Sequence, residues 1–333
     1  MDTTTLAIMW IGFILAAYSV VGNDVIQTLG TFLASNEKRP WYVLWAFAAS
    51  IMTATLVYGW VQNGGDVSFG RLIGDADKGF DLVNPKYAEP KNISSFGWAY
   101  VLPPLVLMVI TRFGIPVSTS FLILTFFSPK DLYDMVVKSM SGYLVAFVAA
   151  IILYIFITKS LEKTFASTEM NDKQRKWWTV AQWFSTGFLW TQWLAQDFAN
   201  IYVYLPRAVD LTTLIISLAI LLTMLAYIFY SKGGAIQAIV KAKTNTADIR
   251  SATFIDLSFA VILYFFKEIN NIPMSTTWVF LGLLAGREIA LRYNLDKRIP
   301  KETLGDLGRD LAKVFFGLAV SIALVFLIRA ITL

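Results

Sequence analysis

Two short stretches decide the fold: Ile115-Pro116-Val117-Ser118-Thr119-Ser120 and Ile272-Pro273-Met274-Ser275-Thr276-Thr277. Each lies inside a long apolar block and sets a proline just ahead of a cluster of hydroxyls. Proline removes a backbone donor and favours the first turn of a helix. Each stretch therefore predicts a helix break followed by a half-helix whose opening turn is Ser118, Thr119, Ser120 or Ser275, Thr276, Thr277. At a helix start the backbone N–H groups lack partners and the dipole is positive. Added hydroxyls make an anion site that needs no basic residue. Plain hydroxyl capping or helix–helix contact is the alternative for either cluster alone.

A second pair of stretches recurs in the same order. Val21-Gly22-Asn23-Asp24-Val25 resembles Leu194-Ala195-Gln196-Asp197-Phe198. Each puts an acid and an amide at the middle of an apolar block, with Gln27 or Asn200 one turn later on the same face. A carboxylate inside a membrane is costly and tends to mark an ion path. Breaks are expected at Gly22-Asn23-Asp24 and at Gln196-Asp197. Carbonyls freed there, with Asn23, Asp24, Gln196, Asp197 and Asn200, suit a hard cation such as sodium. An Asp that caps a half-helix after a break is the alternative. Asp256 is a third acid, either buried or interfacial at the start of its block.

Around these motifs lie eight apolar blocks, roughly 5–34, 41–62, 96–128, 136–158, 177–206, 211–231, 252–286 and 310–333. The chain has 333 residues, 56% hydrophobic and 15% charged, whereas soluble domains carry about 25% charged residues. A fully helical, multi-pass membrane protein is expected. The start, Met1–Thr5, has no basic segment before the first apolar block, which is expected to be a span rather than a cleaved signal. Cysteine and histidine are absent, which excludes disulfides and any triad or metal site built on those residues. No nucleotide loop is present, so an enzyme is not expected, and no organic cofactor.

The order of blocks one to four recurs in five to eight. The expected organisation is a first repeat at 1–158, a cytoplasmic linker at 159–176 and a second repeat at 177–333. If blocks three and seven each cross twice, each half has an odd number of crossings and the repeats are inverted. With both termini outside, loops 36–40, 159–177, 232–250 and 287–309 face the cytoplasm and hold seventeen of the 28 Lys and Arg. Loop 63–95 has four basic and five acidic residues, so it falls outside, as an exterior lid. The net charge of +5 is thereby explained by topology in a cell membrane, not by nucleic acid.

Together the four motif copies resemble the inorganic phosphate transporter (PiT) family of cation-coupled symporters. The family carries a Gly-Ala-Asn-Asp-Val-Ala-Asn-like and a Pro-Val-Ser-Thr-Thr-His-like motif in each half. The resemblance implies two inverted-topology repeats with broken or re-entrant helices. It implies a phosphate site formed by Ser118, Thr119, Ser120, Ser275, Thr276 and Thr277 with Asp24 and Asp197. It implies sodium or proton sites around Asn23, Asp24, Gln196, Asp197 and Asn200, with Asp256 as the acid upstream of the second Ser-Thr motif. A homodimer is expected. The sequence departs from the family where the motif-ending His is Phe121 or Trp278, and where Ala48–Thr53 and Phe96–Tyr100 contain no acid. Sulfate or another oxyanion, proton coupling, and an anion channel remain the alternatives.

Overall fold

A computed structural model describes residues 3–72, 97–112, 118–128, 132–157, 168–232, 248–269, 274–296 and 300–332. All regular structure among them is helical: α1 (Thr3–Ser35), α2 (Trp41–Gln62), a 3-10 turn (Trp98–Val101), α3 (Leu102–Arg112), α4 (Thr119–Phe127), α5 (Leu132–Ile157), α6 (Asp172–Asp197), α7 (Ala199–Tyr202), α8 (Leu211–Tyr230), α9 (Ile249–Ile269), α10 (Thr276–Asp296) and α11 (Lys301–Thr332). Six of the described helices are long and apolar enough to cross a bilayer: α1, α2, α5, α8, α9 and α11. The chain is a polytopic all-α membrane protein.

The packing follows the recurrence of the elements. The longest contact joins α5 to α10, and α11 lies against α4 in the corresponding way. Likewise α9 packs on α6, and α3 packs on α1. The α5–α10 contact is a backbone approach. A methyl group added at Gly282 would overlap the Tyr143 carbonyl oxygen, and one at Gly286 would overlap that of Phe147. Small residues four apart let two membrane helices come this close. Across α2 and α6, the Trp190 indole donates to the Ala48 carbonyl at 2.9 Å and stacks on Trp193 at 4.9 Å between ring centroids.

Four expectations change. The break at Gly22-Asn23-Asp24 is absent: α1 runs through it as one helix of 33 residues. A helical glycine costs only about 1 kcal/mol against alanine, and Thr28 closes back onto the Asp24 carbonyl at 3.1 Å. In the second half the interruption is slight, one residue at Phe198 with φ −63° and ψ −25°. Second, α3 and α4 have 11 and 9 residues, about 16 and 14 Å at 1.5 Å per residue, too short for two full crossings by block three. Third, α6 begins at Asp172, fixed by a capping box in which Asn171 and Gln174 satisfy each other's backbone N–H groups. α6 therefore starts inside the expected linker, whose residues 159–167 lie outside those described. Fourth, the start of the expected lid is not exposed: Asp66, Val67, Ser68, Arg71 and Leu72 are all buried. The lid's residues 73–95, and the prolines at 116 and 273, lie outside the described residues.

Candidate functional site

The helices on either side of each Ser-Thr motif bring the motifs to one place. Ser118 is the N-cap of α4 and accepts from the Phe121 N–H at 3.3 Å. Ser275 stands ahead of α10 in the same way, accepting from the Trp278 N–H at 3.4 Å. A cap uses an oxygen lone pair, so each serine keeps its own O–H to donate. Capping and ligand binding are thus compatible at these two positions. The two helix starts adjoin. Ser120 donates to the Met274 carbonyl at 3.4 Å. Phe121 and Trp278 meet edge to face, with ring centroids 5.8 Å apart. Ser275 also gives its backbone N–H to Ser139 of α5 at 2.8 Å. All six hydroxyl residues of the two motifs are buried.

Asp24 and Asp197 join these helix starts through a relay of side chains. The Asn200 amide donates to Asp197 Oδ1 at 2.8 Å and to Thr119 Oγ1 at 3.0 Å. The Thr119 hydroxyl donates in turn to Asp24 Oδ2 at 2.9 Å. The Thr276 hydroxyl lies beside Asp197, as Thr119 lies beside Asp24, so each acid is paired with the threonine of its own half. Both carboxylates are 1% exposed. Their i+3 neighbours differ: Asn200 is in the relay and buried, whereas Gln27 is half-buried and makes no described contact with it.

Three acceptor oxygens here have no hydrogen-bond donor among the described residues: Asp197 Oδ2, Asn200 Oδ1 and Gln196 Oε1. Gln196 uses its amide N–H on the Leu263 carbonyl at 2.8 Å. Buried oxygens are rarely left unsatisfied, and carboxylate and amide oxygens are the kinds of ligand a hard cation takes. Asn23 sits on α1, and its side chain lies outside what is described.

Asp256 is buried but elsewhere. Its two oxygens accept from Thr31 of α1 and Thr186 of α6, so it ties three helices. Thr31 is seven residues beyond Asp24 on α1, and Thr186 is eleven before Asp197 on α6. At 1.5 Å per residue those offsets are about 10 and 16 Å along the axes. Asp256 therefore stands apart from the Asp24–Asp197 relay.

One group escaped the sequence reading. Arg71, 1% exposed, is close enough to Asp197 for their charges to interact. It lies in a loop that looks like the start of a soluble lid. The signal is in the sequence: Arg71 is the one charge in the Val67–Ile73 run that follows the turn residues Asn63-Gly64-Gly65-Asp66.

No protein-family model matches the chain, and no curated protein matches it. Among solved structures, one described as "The sodium-dependent phosphate transporter" superposes with a TM-score of 0.59 over 100% of both chains, at 16% identity. The likeness expected from four short motifs is matched at the level of the whole architecture: the chain has the fold of that transporter.

Proposed function

We propose that the chain is a divergent PiT-type secondary transporter that carries inorganic phosphate with sodium by alternating access. The observation that carries this reading is the relay Asp24–Thr119–Asn200–Asp197, which joins both acidic motifs to the start of a half-helix. The fold shared with a sodium-dependent phosphate transporter supports it. Phosphate would sit where α4 and α10 begin, among Ser118, Thr119, Ser120, Ser275, Thr276 and Thr277. Sodium would be held by Asp197 Oδ2, Asn200 Oδ1 and Gln196 Oε1, and a second equivalent by Asp24 with Asn23. Asp256 belongs to a separate position, and any ion there is not shared with Asp197.

Coupling then has a physical source. Thr119 already gives its proton to Asp24, so it has none for an oxyanion. A cation on Asp24 offsets the carboxylate and frees that proton for phosphate. Each ligand lowers the electrostatic cost of the other in a weakly screened site, and the coupling is reciprocal. The two recurring sets of elements are read as inverted repeats, 1–158 and 177–333, with α6 extending the second back to Asp172, both termini outside and a homodimer as the assembly. A re-entrant pair in place of two crossings at α3 and α4 leaves the number of crossings in that half odd. The test is uptake into proteoliposomes by Asp24→Asn and Asp197→Asn. Both insert normally and lose sodium-driven phosphate uptake; normal uptake by both removes the acids from the mechanism.

A further inference from the structure

The start of α10 takes a partner from outside both Ser-Thr motifs. In a helix capped by a serine, the side chain three residues on can return to the serine's own N–H. In α10 that residue is Trp278, whose indole only donates. Ser139 of α5 fills the place: its buried hydroxyl oxygen accepts from the Ser275 N–H at 2.8 Å. The helix that carries it is held close. At Gly142, one turn further along α5, an added methyl group would come within 3.0 Å of Val279 and 3.6 Å of the Met274 sulfur. Ser139 and Gly142, three residues apart, share the face of α5 that meets α10.

A hydroxyl that accepts still has its own proton to give. Other serines in these helices spend theirs on the turn behind them: Ser258 on the Phe254 carbonyl at 2.6 Å, and Ser321 on that of Gly317 at 2.8 Å. Ser139 makes no such bond, and its O–H has no acceptor among the described residues. Two of the motif hydroxyls, by contrast, are already committed, Thr119 to Asp24 and Ser120 to the Met274 carbonyl. A buried donor needs a partner, and an anion at the start of α10 would supply one.

We propose that Ser139 is a further phosphate-binding residue, contributed by α5 and not by either motif: its O–H donates to a phosphate oxygen while its oxygen holds the Ser275 N–H. The inference rests on the transporter reading above. Every oxygen of a tetrahedral oxyanion accepts, so a neutral donor adds affinity without adding charge. Ser139 therefore sets the affinity for phosphate and leaves the sodium requirement alone.

The test is sodium-driven phosphate uptake in proteoliposomes by Ser139→Ala, Ser139→Thr and Ser139→Cys, with Tm in detergent as the measure of folding. Losing a hydrogen bond to a charged group lowers affinity by about tenfold or more. Ser139→Ala is expected to raise the KM for phosphate by that factor, with the maximal rate per folded protein and the Hill coefficient for sodium near wild type. Ser139→Thr keeps the hydroxyl and should hold the KM within about threefold of wild type. Ser139→Cys keeps the size but offers only a weak donor; its KM should rise too, and it decides the matter if Ser139→Ala does not fold. A serine that only ties α5 to α10 would lower the Tm and the maximal rate with KM unchanged, and that result overturns the inference alone. So does a Ser139→Thr protein whose KM is as impaired as that of Ser139→Ala. A wild-type chain with no phosphate uptake overturns both this inference and the transporter reading.

Discussion

Thr119→Val is the most informative single change, because it removes one hydroxyl and almost no volume. That hydroxyl donates to Asp24 and accepts from Asn200. A hydrogen bond to a charged group contributes about 1.5–3 kcal/mol, and a neutral one about 0.5–1.5 kcal/mol. The two losses together come to about 2–4.5 kcal/mol. If the relay couples cation to anion, that energy appears in transport, as a fall in kcat/KM of roughly 30-fold to 2,000-fold. Thr119→Ser, which keeps the hydroxyl, should recover most of it. The assay is sodium-driven phosphate uptake normalised to folded protein, with thermal unfolding in detergent as the control for insertion. A Thr119→Val protein within about threefold of wild type would refute the relay as a functional element. Equal loss in Thr119→Val and Thr119→Ser would show that size, not the proton, matters.

Other expectations follow from the packing. Gly286→Val pushes a side chain into the Phe147 carbonyl, and overpacking of this kind costs about 1–3 kcal/mol; a lowered Tm in detergent is expected, and an unchanged one would refute the close α5–α10 approach. Asp256→Ala leaves the Thr31 and Thr186 hydroxyls buried without their acceptor, at about 1–3 kcal/mol each. Its Tm should fall while the KM for phosphate stays within about twofold; a large rise in KM would place Asp256 in the phosphate site. Asp210 caps α8, accepting from the Thr213 N–H at 2.7 Å; the Thr213 hydroxyl and N–H hold its carboxyl below the usual range. That stability is present above the unfolded carboxyl's pKa and is lost as pH falls through the folded one. The Tm gap between wild type and Asp210→Ala should therefore close on acidification, and a gap constant down to acid pH would contradict the cap.

Much of this architecture is legible in the sequence, since hydropathy marks each helix. Block 41–62 coincides with α2, and the recurrence of Pro-x-Ser-Thr locates the starts of α4 and α10. What is misread at Gly22-Asn23-Asp24 is the strength of a breaker. Glycine and asparagine only weaken a helix, and without proline the backbone ladder stays closed. Asp24 needs no break to reach the site, because Thr119 comes to it from another helix. The pairing of Asp24 with Thr119, and not with Asp197 directly, could not be read from spacing; it depends on how α4 sits against α1 and α7. Arg71 is hidden for the same reason. A loop rich in Gly and Asp reads as solvent-exposed, and only its attachment to Val209, through the Gly65 carbonyl and the Trp60 indole, turns it inward. The opposite holds for Phe121 and Trp278. They look like lost functional residues in the motif, yet they form an aromatic contact between the starts of α4 and α10.

The most direct measurement is uptake of radiolabelled phosphate by the purified chain in proteoliposomes, with and without an inward sodium gradient, and with excess unlabelled sulfate as competitor. The predicted result is saturable uptake that sodium stimulates and sulfate does not block. Uptake that ignores sodium and is abolished by sulfate would contradict it and make the chain a sulfate-type or proton-coupled carrier. Unsaturable uptake independent of any cation would make it an anion channel.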